Sequence, residues 1–212
     1  MPTKNPTKKR KGEHIQIVLK KQVAFREKTT GLEDISFKEI ELMYTAIPQM
    51  DKGKIDTSTK LLSKKFAAPI MVSGMTGGVK EATKINKDIA KACQTLGLGM
   101  GVGSQRAMIE DPALTETYFV RDAAPDIFLA ANIGAAQLAE YSASQIQKAV
   151  DDIKADALAI HLNAAQEAVQ KEGDTNFSNV LKQIRQTVSK IRQPVYVKEV
   201  GNGITFEAAK LL

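Results

Sequence analysis

The sequence predicts an α/β fold in which parallel strands alternate with helices. Five short runs are apolar on both faces, which is typical of parallel strands buried on both sides. They occupy residues 69–73, 98–102, 127–133, 157–162 and 194–197. Amphipathic segments with helical spacing separate them, at about residues 80–96, 112–123, 142–154 and 178–192. The runs start about 30 residues apart, the length of one βα unit, so the chain holds about five such units.

The residues at the ends of the amphipathic segments support their assignment as helices. Gly97 directly follows the first segment, at the position where glycine commonly ends a helix. Pro112 follows Asp111 and would lie in the first turn of the second helix, where its missing N–H costs nothing. Ser142 and Ser178 precede the third and fourth segments as candidate N-caps. A last helix is expected from residue 206.

Two architectures fit alternating strands and helices: an open, doubly wound sheet and a closed barrel. An open dinucleotide-binding sheet carries G-x-G-x-x-G after its first strand, whereas residues 73–78 here read SGMTGG. A barrel instead places polar residues at the carboxyl end of many strands in succession. The sequence shows that pattern and therefore predicts a TIM (β/α)8 barrel, incomplete, with its N-terminal five-eighths in residues 31–212.

The N-terminal arm, residues 1–30, carries most of the net charge. The whole chain has a net charge of +6, and residues 1–28 hold nine Lys or Arg against two Glu. The rest of the chain is balanced, so an anion-binding role belongs to the arm and no extended nucleic-acid face is expected. Residues 1–11 are expected to be mobile. A helix is expected from Glu13, with Ile15, Val18, Leu19 and Val23 on one face.

Composition narrows the class of protein. The one cysteine, Cys93, cannot form an internal disulfide and is expected to be a small core residue. No stretch reaches the roughly 18 apolar residues of a membrane helix. The basic N-terminus lacks the apolar segment of a secretory signal. A cytoplasmic location without membrane contact is therefore expected.

Each apolar run ends in polar or glycine-rich residues, and in a barrel all five sets face one mouth. In chain order the sets are 75–78 (MTGG), 103–106 (GSQR), Asn132, 161–163 (HLN) with Gln166-Glu167, and Lys198-Glu199 followed by 201–203 (GNG). No single set is a specific motif, but five in register indicate an active site.

Individual members of these sets have alternative interpretations. His161 shares a side of its strand with Asn163, and it is either a site residue or a hydrogen-bonded core histidine. Lys198 in a strand buried on both faces is costly unless it serves a ligand or a structural ion pair. Glu167 could hold a divalent cation or be a surface acid at a helix start. Arg106 could bind an anion or be a solvated arginine.

The glycine clusters and the basic residues of the arm also have two interpretations each. The glycine clusters either let backbone approach a ligand closely or form tight turns. Arg10 and Lys11 either belong to a solvated basic run or to a flap that closes over a phosphorylated ligand. Taken alone, tight turns are the simpler interpretation of the glycines. A solvated basic run is the simpler interpretation of Arg10 and Lys11.

The ordered set of motifs resembles one enzyme family, the type 2, FMN-dependent isopentenyl-diphosphate isomerases. The motifs are residues 10–15 (RKGEHI), 75–78 (MTGG), 103–106 (GSQR), 161–163 (HLN) with Gln166-Glu167, and 197–201 (VKEVG). The resemblance covers nearly the whole chain from Lys9 onward. It implies interconversion of isopentenyl and dimethylallyl diphosphate in isoprenoid biosynthesis. It also implies reduced FMN, Mg²⁺, and NADPH as the flavin reductant.

The resemblance also implies roles for individual residues. FMN contacts are implied for Met75, Thr76, Gly77, Ser104, Asn132 and Lys198. Substrate contacts are implied for Arg10, Lys11, Ser104, Gln105, Arg106 and Gln166. Glu167 would be the magnesium ligand, Asn163 would line the pocket, and catalytic roles would fall to Gln166, His161 and Lys198. Gln166 cannot supply a strong acid, so positioning or proton relay is expected of it.

The resembled family continues through three further βα units with a glycine-rich phosphate-binding region. The chain is therefore expected to be a fragment or a truncated product with open edges at its first and fifth strands. Poor solubility or dependence on a partner would follow, and a full-length form is expected to be a homo-oligomer. Two rival functions stay open: another FMN-dependent barrel oxidoreductase, or an inactive fragment or binding module whose basic arm contacts nucleic acid.

Overall fold

The structure is a computed structural model that describes residues 6–20, 41–62, 64–170 and 173–212. Its strands are β1 (Thr59–Leu61), β2 (Lys64–Phe66), β3 (Met71–Val72), β4 (Gly99–Gly101), β5 (Leu129–Gly134), β6 (Ala157–Leu162) and β7 (Val195–Glu199). Its α-helices are α1 (Pro6–Lys20), α2 (Lys80–Leu96), α3 (Arg106–Glu110), α4 (Ala143–Asp152), α5 (Ala164–Val169), α6 (Val180–Val188) and α7 (Phe206–Leu211).

Five parallel strands form one curled sheet in the order β3-β4-β5-β6-β7. The spatial order is the chain order, with no reversal of direction. A doubly wound sheet requires such a reversal, because its second half is built outward from the first strand on the other side. The strand order therefore excludes the doubly wound alternative for the described residues, and the α/β class is confirmed.

The central strands of the parallel sheet are more deeply buried than the two edge strands. β4 and β5 are buried throughout, and β6 is buried except at Leu162. Every residue of β7 is only half-buried, as are both residues of β3. The expectation that Lys198 lies in a strand buried on both faces is therefore wrong. β7 has a neighbour on one side only, so one of its edges is uncovered in the described part of the chain.

Two of the predicted helix ends, Gly97 and Ser142, agree with the structure. α2 ends at Gly97, which adopts the left-handed conformation with φ 63°. Ser142 caps α4 in a capping box with Gln145, each side chain bonding the other's backbone N–H. Ser178 is not the cap of α6, because Asn179 in the left-handed conformation precedes that helix.

The second predicted helix, residues 112–123, is wrong. The chain instead forms α3 and then a 3₁₀ helix over Pro112–Thr117. Asp111 caps the 3₁₀ helix by accepting a hydrogen bond from the Ala113 N–H. The hydroxyls of Thr115 and Thr117 each donate to the carbonyl three residues earlier, at 2.8 Å and 2.7 Å. Such local side-chain bonds compete with α-helical pairing and account for the tighter turn.

The N-terminal helix begins earlier than predicted. α1 starts at Pro6, so the expectation of a mobile segment as far as residue 11 is wrong for residues 6–11. Ile15 is buried against Val79 and Ala82 at the start of α2. Leu19 is 68% exposed and does not share that contact. Val23 and the rest of the arm to residue 30 lie outside the described residues.

An antiparallel hairpin of β1 and β2, absent from the sequence prediction, covers the amino end of the sheet. Its last residue, Phe66, packs on Phe128 with ring centroids 5.7 Å apart. A side chain at Gly99 would lie 2.6 Å from the Phe66 ring, so the close approach requires glycine there. The hairpin leaves the carboxyl ends of the strands as the open end of the sheet.

Two expectations from composition have a structural counterpart. Cys93 is buried in the main hydrophobic cluster, which confirms its assignment as a core residue. In the part of the chain that the structure describes, no helix combines the length and apolar character needed to cross a membrane.

Candidate functional site

The carboxyl ends of the parallel strands surround a cavity of about 550 Å³, and α1 lies across it. Nine residues predicted for the site line this cavity. They are Arg10, Lys11, Met75, Ser104, Asn132, His161, Gln166, Glu167 and Lys198. Asn163, also expected to line a pocket, does so. Residues up to 188 positions apart in the sequence thus line one cavity at the carboxyl ends of the strands, as the strand-end pattern predicted.

Asn132 and His161 form a buried pair on neighbouring strands. Asn132 Nδ2 donates to the Val102 carbonyl at 2.9 Å, which leaves Oδ1 to accept from His161 Nδ1 at 2.8 Å. Burial, reinforced by the charge of Lys198, lowers the pKa of His161 to about 4. His161 is therefore neutral at pH 7, with its proton on Nδ1 and the Nε2 lone pair available as an acceptor. It is both hydrogen-bonded and part of the cavity wall.

Glu167 is a buried acid, so the surface-acid interpretation is wrong. Its side chain follows β6 on α5, and the residue is 3% exposed. Oε1 accepts from Asn163 Nδ2 at 2.7 Å, and Oε2 accepts from the Asp174 N–H at 2.8 Å. No described Lys or Arg forms an ion pair with it within 4.0 Å. A buried carboxylate held by two neutral donors keeps affinity for a cation.

The amide of Asn163 lies beside that carboxylate and has an oxygen without a partner. Its Oδ1 is the one buried side-chain N or O atom without a hydrogen-bond partner among the residues that the structure describes. Buried polar atoms are nearly always paired in folded proteins. Asn163 is also a lining residue of the cavity, and a ligand donor or a hard cation is the kind of group that would satisfy this oxygen.

Lys198 is the basic residue of β7, the last strand of the parallel sheet. It pairs with His161 in the register of β6 and β7. Burial lowers the pKa of Lys198, and the neighbouring Glu199 carboxylate opposes this effect. Within the described ranges it has no ion pair within 4.0 Å, so the structural ion-pair interpretation finds no partner there. Glu199 itself accepts hydrogen bonds from the N–H groups of Gly201 and Gly203 and so fixes the next loop.

Lys11 reaches the cavity from α1 and is anchored by the loop after β4. Its Nζ donates to the Ser104 carbonyl at 2.6 Å and to Tyr118 Oη at 2.9 Å. The Tyr118 hydroxyl donates to the same Ser104 carbonyl at 2.9 Å. Burial, with a further contribution from Arg10, lowers the pKa of Lys11 to about 7. The solvated-run interpretation of Lys11 is therefore wrong.

The two glycines of the first strand-end motif make room for this anchor. A Cβ at Gly77 would lie 1.9 Å from the Tyr118 ring. Gly78 has φ +79°, and a Cβ there would lie 2.7 Å from Lys11 Cδ and 2.9 Å from Tyr118 Oη. The close approach that these glycines permit is thus to Tyr118 and Lys11 within the protein.

Arg10, the second cation of α1, contacts the loop after β6. Its Nη1 donates to Gln170 Oε1 at 3.2 Å. Together, Arg10 and Lys11 tie α1 to loops that follow two different strands. The helix therefore covers part of the cavity that these loops form.

Four residues predicted for the site do not line this cavity. Thr76 and Gly77 line a neighbouring, more apolar cavity of about 300 Å³ between α1, β3 and α2. Gln105 is buried in the core, where Nε2 donates to the Ala149 carbonyl at 2.8 Å and Oε1 accepts from the Asn132 N–H at 3.2 Å. Arg106 is not solvated either, since its guanidinium contacts Glu110 at 2.8 Å and Asp174 at 2.5 Å.

Several cavity residues were not singled out by the sequence pattern as site residues. They are Ser73, Gly74, Gln137, Gln170 and Val200. Gln137 lies three residues after the end of β5, so the same strand-end reasoning would have included it. Tyr118 carries no comparable signal, because it lies after the 3₁₀ helix and meets the site only through long-range contacts.

The cavity combines basic side chains with two acidic residues, the buried Glu167 and, on β7, Glu199. Arg10, Lys11 and Lys198 offer positive charge, while Glu167 and Asn163 offer hard oxygens. No group of three or more His, Cys, Asp or Glu side chains suited to a metal ion occurs in the described ranges. A cation bound at Glu167 would therefore need ligand oxygens to complete its shell, as Mg²⁺ commonly does with phosphate groups. The arrangement suits a metal-complexed, multiply charged anion.

Comparison with known proteins gives a consistent result. The chain is 47% identical to the isopentenyl-diphosphate delta-isomerase of Thermococcus onnurineus over 94% of this chain and 54% of the relative. Proteins of the same name from Methanococcoides burtonii and a Nostoc species are 44% and 42% identical, over 97% of this chain and 56% and 58% of their own lengths. No protein-family model matches the chain. The chain spans about half the length of the curated relatives it matches.

Proposed function

We propose that these residues form the diphosphate-binding, metal-binding and flavin-facing part of an isopentenyl-diphosphate isomerase. The homologues that carry this name match 94% of the chain or more. The reaction is the interconversion of isopentenyl and dimethylallyl diphosphate. Because the relatives are nearly twice as long, we propose that the activity belongs to a complete protein whose parallel sheet closes into an eight-stranded barrel.

One observation carries the proposal: the buried carboxylate of Glu167, which has no ion pair within 4.0 Å among the described residues, lines the same cavity as the cations of α1 and β7. A substrate with a diphosphate group and a bound metal ion satisfies both sides at once. The rival function is an FMN-dependent oxidoreductase acting on a hydroxy acid. Such a substrate carries a single negative charge and does not account for a metal position at Glu167.

The residues present fit a magnesium ion. The unpartnered Asn163 Oδ1 and the carboxylate of Glu167 are both hard oxygen donors of the kind that Mg²⁺ prefers. Glu167 would hold the ion, and waters with diphosphate oxygens would complete its coordination. Arg10 and Lys11 would then bind the remaining charge on the diphosphate.

The residues present also fit the ring of FMN. A third cavity, of about 220 Å³, shares part of its lining with the first, and its wall includes the small residues Gly101, Ala131 and Ala159. Lys198 and Asn132 line both cavities. A flat ring could lie on the small residues, with its polar edge toward Lys198. The chemistry that reduced FMN supplies when bound is proton transfer at the alkene carbons, and NADPH is the proposed source of its electrons.

The remaining side chains would bind the ligands, orient them or keep water away from them. Lys198 would stabilise negative charge at the edge of the flavin site. Neutral His161 offers its Nε2 lone pair as a hydrogen-bond acceptor, and it holds the Asn132 amide in place. Gln166 has no acidic proton and would position the substrate or relay a proton. α1 would exclude water from the bound diphosphate, with Lys11 as its contact.

The test compares this chain with a chimera that adds the part of the Thermococcus onnurineus relative lying outside the match. We expect the chimera to purify yellow with FMN and to convert isopentenyl diphosphate when NADPH and Mg²⁺ are present. Glu167→Gln in the chimera should abolish the Mg²⁺ requirement together with most of the activity. A folded, colourless chimera would overturn the proposal. So would a flavin-containing chimera that oxidises a 2-hydroxy acid and does not isomerise the diphosphate.

A further inference from the structure

Tyr118 is not a lining residue of the cavity, yet it contacts three segments that contribute to the lining. Its hydroxyl accepts a hydrogen bond from Lys11 Nζ at 2.9 Å and donates one to the Ser104 carbonyl at 2.9 Å. Its ring packs on the first strand-end motif, where a Cβ at Gly77 would lie 1.9 Å from it. One fully buried side chain thus contacts α1, the loop after β4 and the loop after β3.

The residue before it, Thr117, fixes Tyr118 to the core. The Gly78 N–H donates to Thr117 Oγ1 at 2.8 Å, and Asn86 Nδ2 on α2 donates to the Thr117 carbonyl at 2.8 Å. The same Asn86 accepts from the Thr76 hydroxyl at 2.5 Å through its Oδ1. Buried hydrogen bonds of this kind hold both partners in one arrangement. The Tyr118 hydroxyl therefore extends from a backbone position that α2 and the first strand-end motif determine together.

The hydrogen bonds of the Lys11 amine leave one donor for a ligand. A protonated amine carries three N–H donors. Two of them bond to the Ser104 carbonyl and the Tyr118 hydroxyl, and the third has no acceptor among the described residues. Since Lys11 lines the cavity, an anion there can accept from the third N–H without displacing either protein acceptor. The contact with Tyr118 is thus compatible with anion binding and does not compete with it.

We propose that Tyr118 is a positioning residue that orders the Lys11 amine, and with it α1, before a diphosphate anion enters the cavity. A lysine side chain loses much rotamer freedom when it is fixed. Because Tyr118 fixes it in the free protein, that loss does not oppose ligand binding. The inference rests on the proposed function, since it assumes that Lys11 binds the diphosphate.

The experiment is titration calorimetry of the full 212-residue chain with inorganic pyrophosphate in the presence of Mg²⁺. Tyr118→Phe removes the hydroxyl and keeps the ring, whose centroid lies 5.3 Å from Lys11 Nζ. We expect the Kd to rise about fivefold, the effect of one lost hydrogen bond. Tyr141→Phe is the matched control. It removes a hydroxyl that bonds Glu110 away from the cavity lining, and it should leave the Kd within about twofold.

A double-mutant cycle distinguishes positioning from a general structural role. Lys11→Met keeps an unbranched side chain and removes the amine, so it should weaken pyrophosphate binding about 10- to 100-fold. In the Lys11→Met background, Tyr118→Phe should change the Kd by less than about twofold, because the hydroxyl acts through the missing amine. A purely structural defect would weaken binding by the same factor in both backgrounds.

Acetylation by acetic anhydride, followed by peptide mass spectrometry, gives a second measurement. It carries the test if Lys11→Met binds too weakly for the cycle. Lys11 should react faster in Tyr118→Phe than in the unmodified chain, because its amine is no longer held. Lys84, whose side chain is 84% exposed, is the internal reference and should react equally in both. Equal acetylation of Lys11 in the two proteins would overturn the positioning role.

The outcomes separate this inference from the proposed function. If Lys11→Met weakens pyrophosphate binding and Tyr118→Phe does not, the positioning role is overturned and the anion site stands. The same loss from Tyr118→Phe with and without the Lys11 amine also overturns it. If the unmodified chain does not bind pyrophosphate, the anion site of the proposed function fails, and the role of Tyr118 fails with it.

Discussion

The amine of Lys11 lies 2.9 Å from the hydroxyl of Tyr118, and both groups donate to the Ser104 carbonyl. The two residues are 107 positions apart in the sequence. Their contact joins α1 to the segment between β4 and β5 and places an amine with a pKa of about 7 at the cavity wall. The attachment of α1 and the position of the amine proposed to bind the anion thus depend on the same hydrogen bonds.

Tyr118→Phe should weaken this attachment. The variant removes the acceptor for Lys11 and the donor to the Ser104 carbonyl, and each lost hydrogen bond costs about 1 kcal/mol. Urea unfolding should show a free energy of unfolding lower by about 1–2 kcal/mol. Tyr141→Phe is the control, because its hydroxyl bonds Glu110 at a more exposed position. Equal effects of the two variants would contradict the role assigned to Tyr118.

Gly78→Ala should destabilise the chain through crowding as well as backbone strain. The added methyl group meets Ala107 Cβ and Lys11 Cδ at 2.7 Å and Tyr118 Oη at 2.9 Å. The matched control is Gly203→Ala, where φ is +89° and nothing lies within 4 Å. Both variants carry the left-handed strain of about 1–2 kcal/mol, so the extra loss at Gly78 measures the crowding. Equal denaturation midpoints would show that Ala107, Lys11 and Tyr118 do not pack closely against Gly78.

The stability of the chain should fall as the pH decreases from about 6.5 to about 4. The pKa of His161 is about 4 in the folded chain, below its ordinary value of 6.5. Within this window the unfolded chain binds the proton and the folded chain does not, so acid favours unfolding. The loss amounts to at most about 3 kcal/mol. His161→Gln should show a shallower pH dependence of unfolding in the same window, and an unchanged slope would refute the assignment.

Binding of pyrophosphate near pH 8 should take up a proton at Lys11. The pKa of Lys11 is about 7 in the free protein, so its amine is mostly neutral at pH 8. A bound anion favours the charged form and raises the pKa, which draws a proton from solution. Calorimetry in buffers of different ionisation enthalpy measures this uptake. Lys11→Arg is the control, since arginine stays protonated and should bind with less uptake. Identical uptake in both proteins would exclude Lys11 as the acceptor.

Much of the fold could be predicted because its signals are local. The alternation of apolar runs and amphipathic segments reflects which faces of each element are buried, and Gly97 and Ser142 mark helix ends through their own backbone chemistry. The same reasoning failed at residues 112–123, where threonine hydroxyls bonded to nearby carbonyls override the helical spacing. The β1–β2 hairpin was missed because its strands are three residues long and mostly exposed.

The sequence by itself determined which strand ends carry polar side chains, and hence that residues such as Asn132, His161 and Glu167 meet at one mouth. Tertiary structure alone decided what each of them contacts. Gln105 turns into the core, and Arg106 pairs with Asp174, 68 positions away. Periodicity fixes the face of an element on which a side chain lies, because it follows from backbone geometry. The partner across that face depends on how distant segments pack, and no local pattern encodes it.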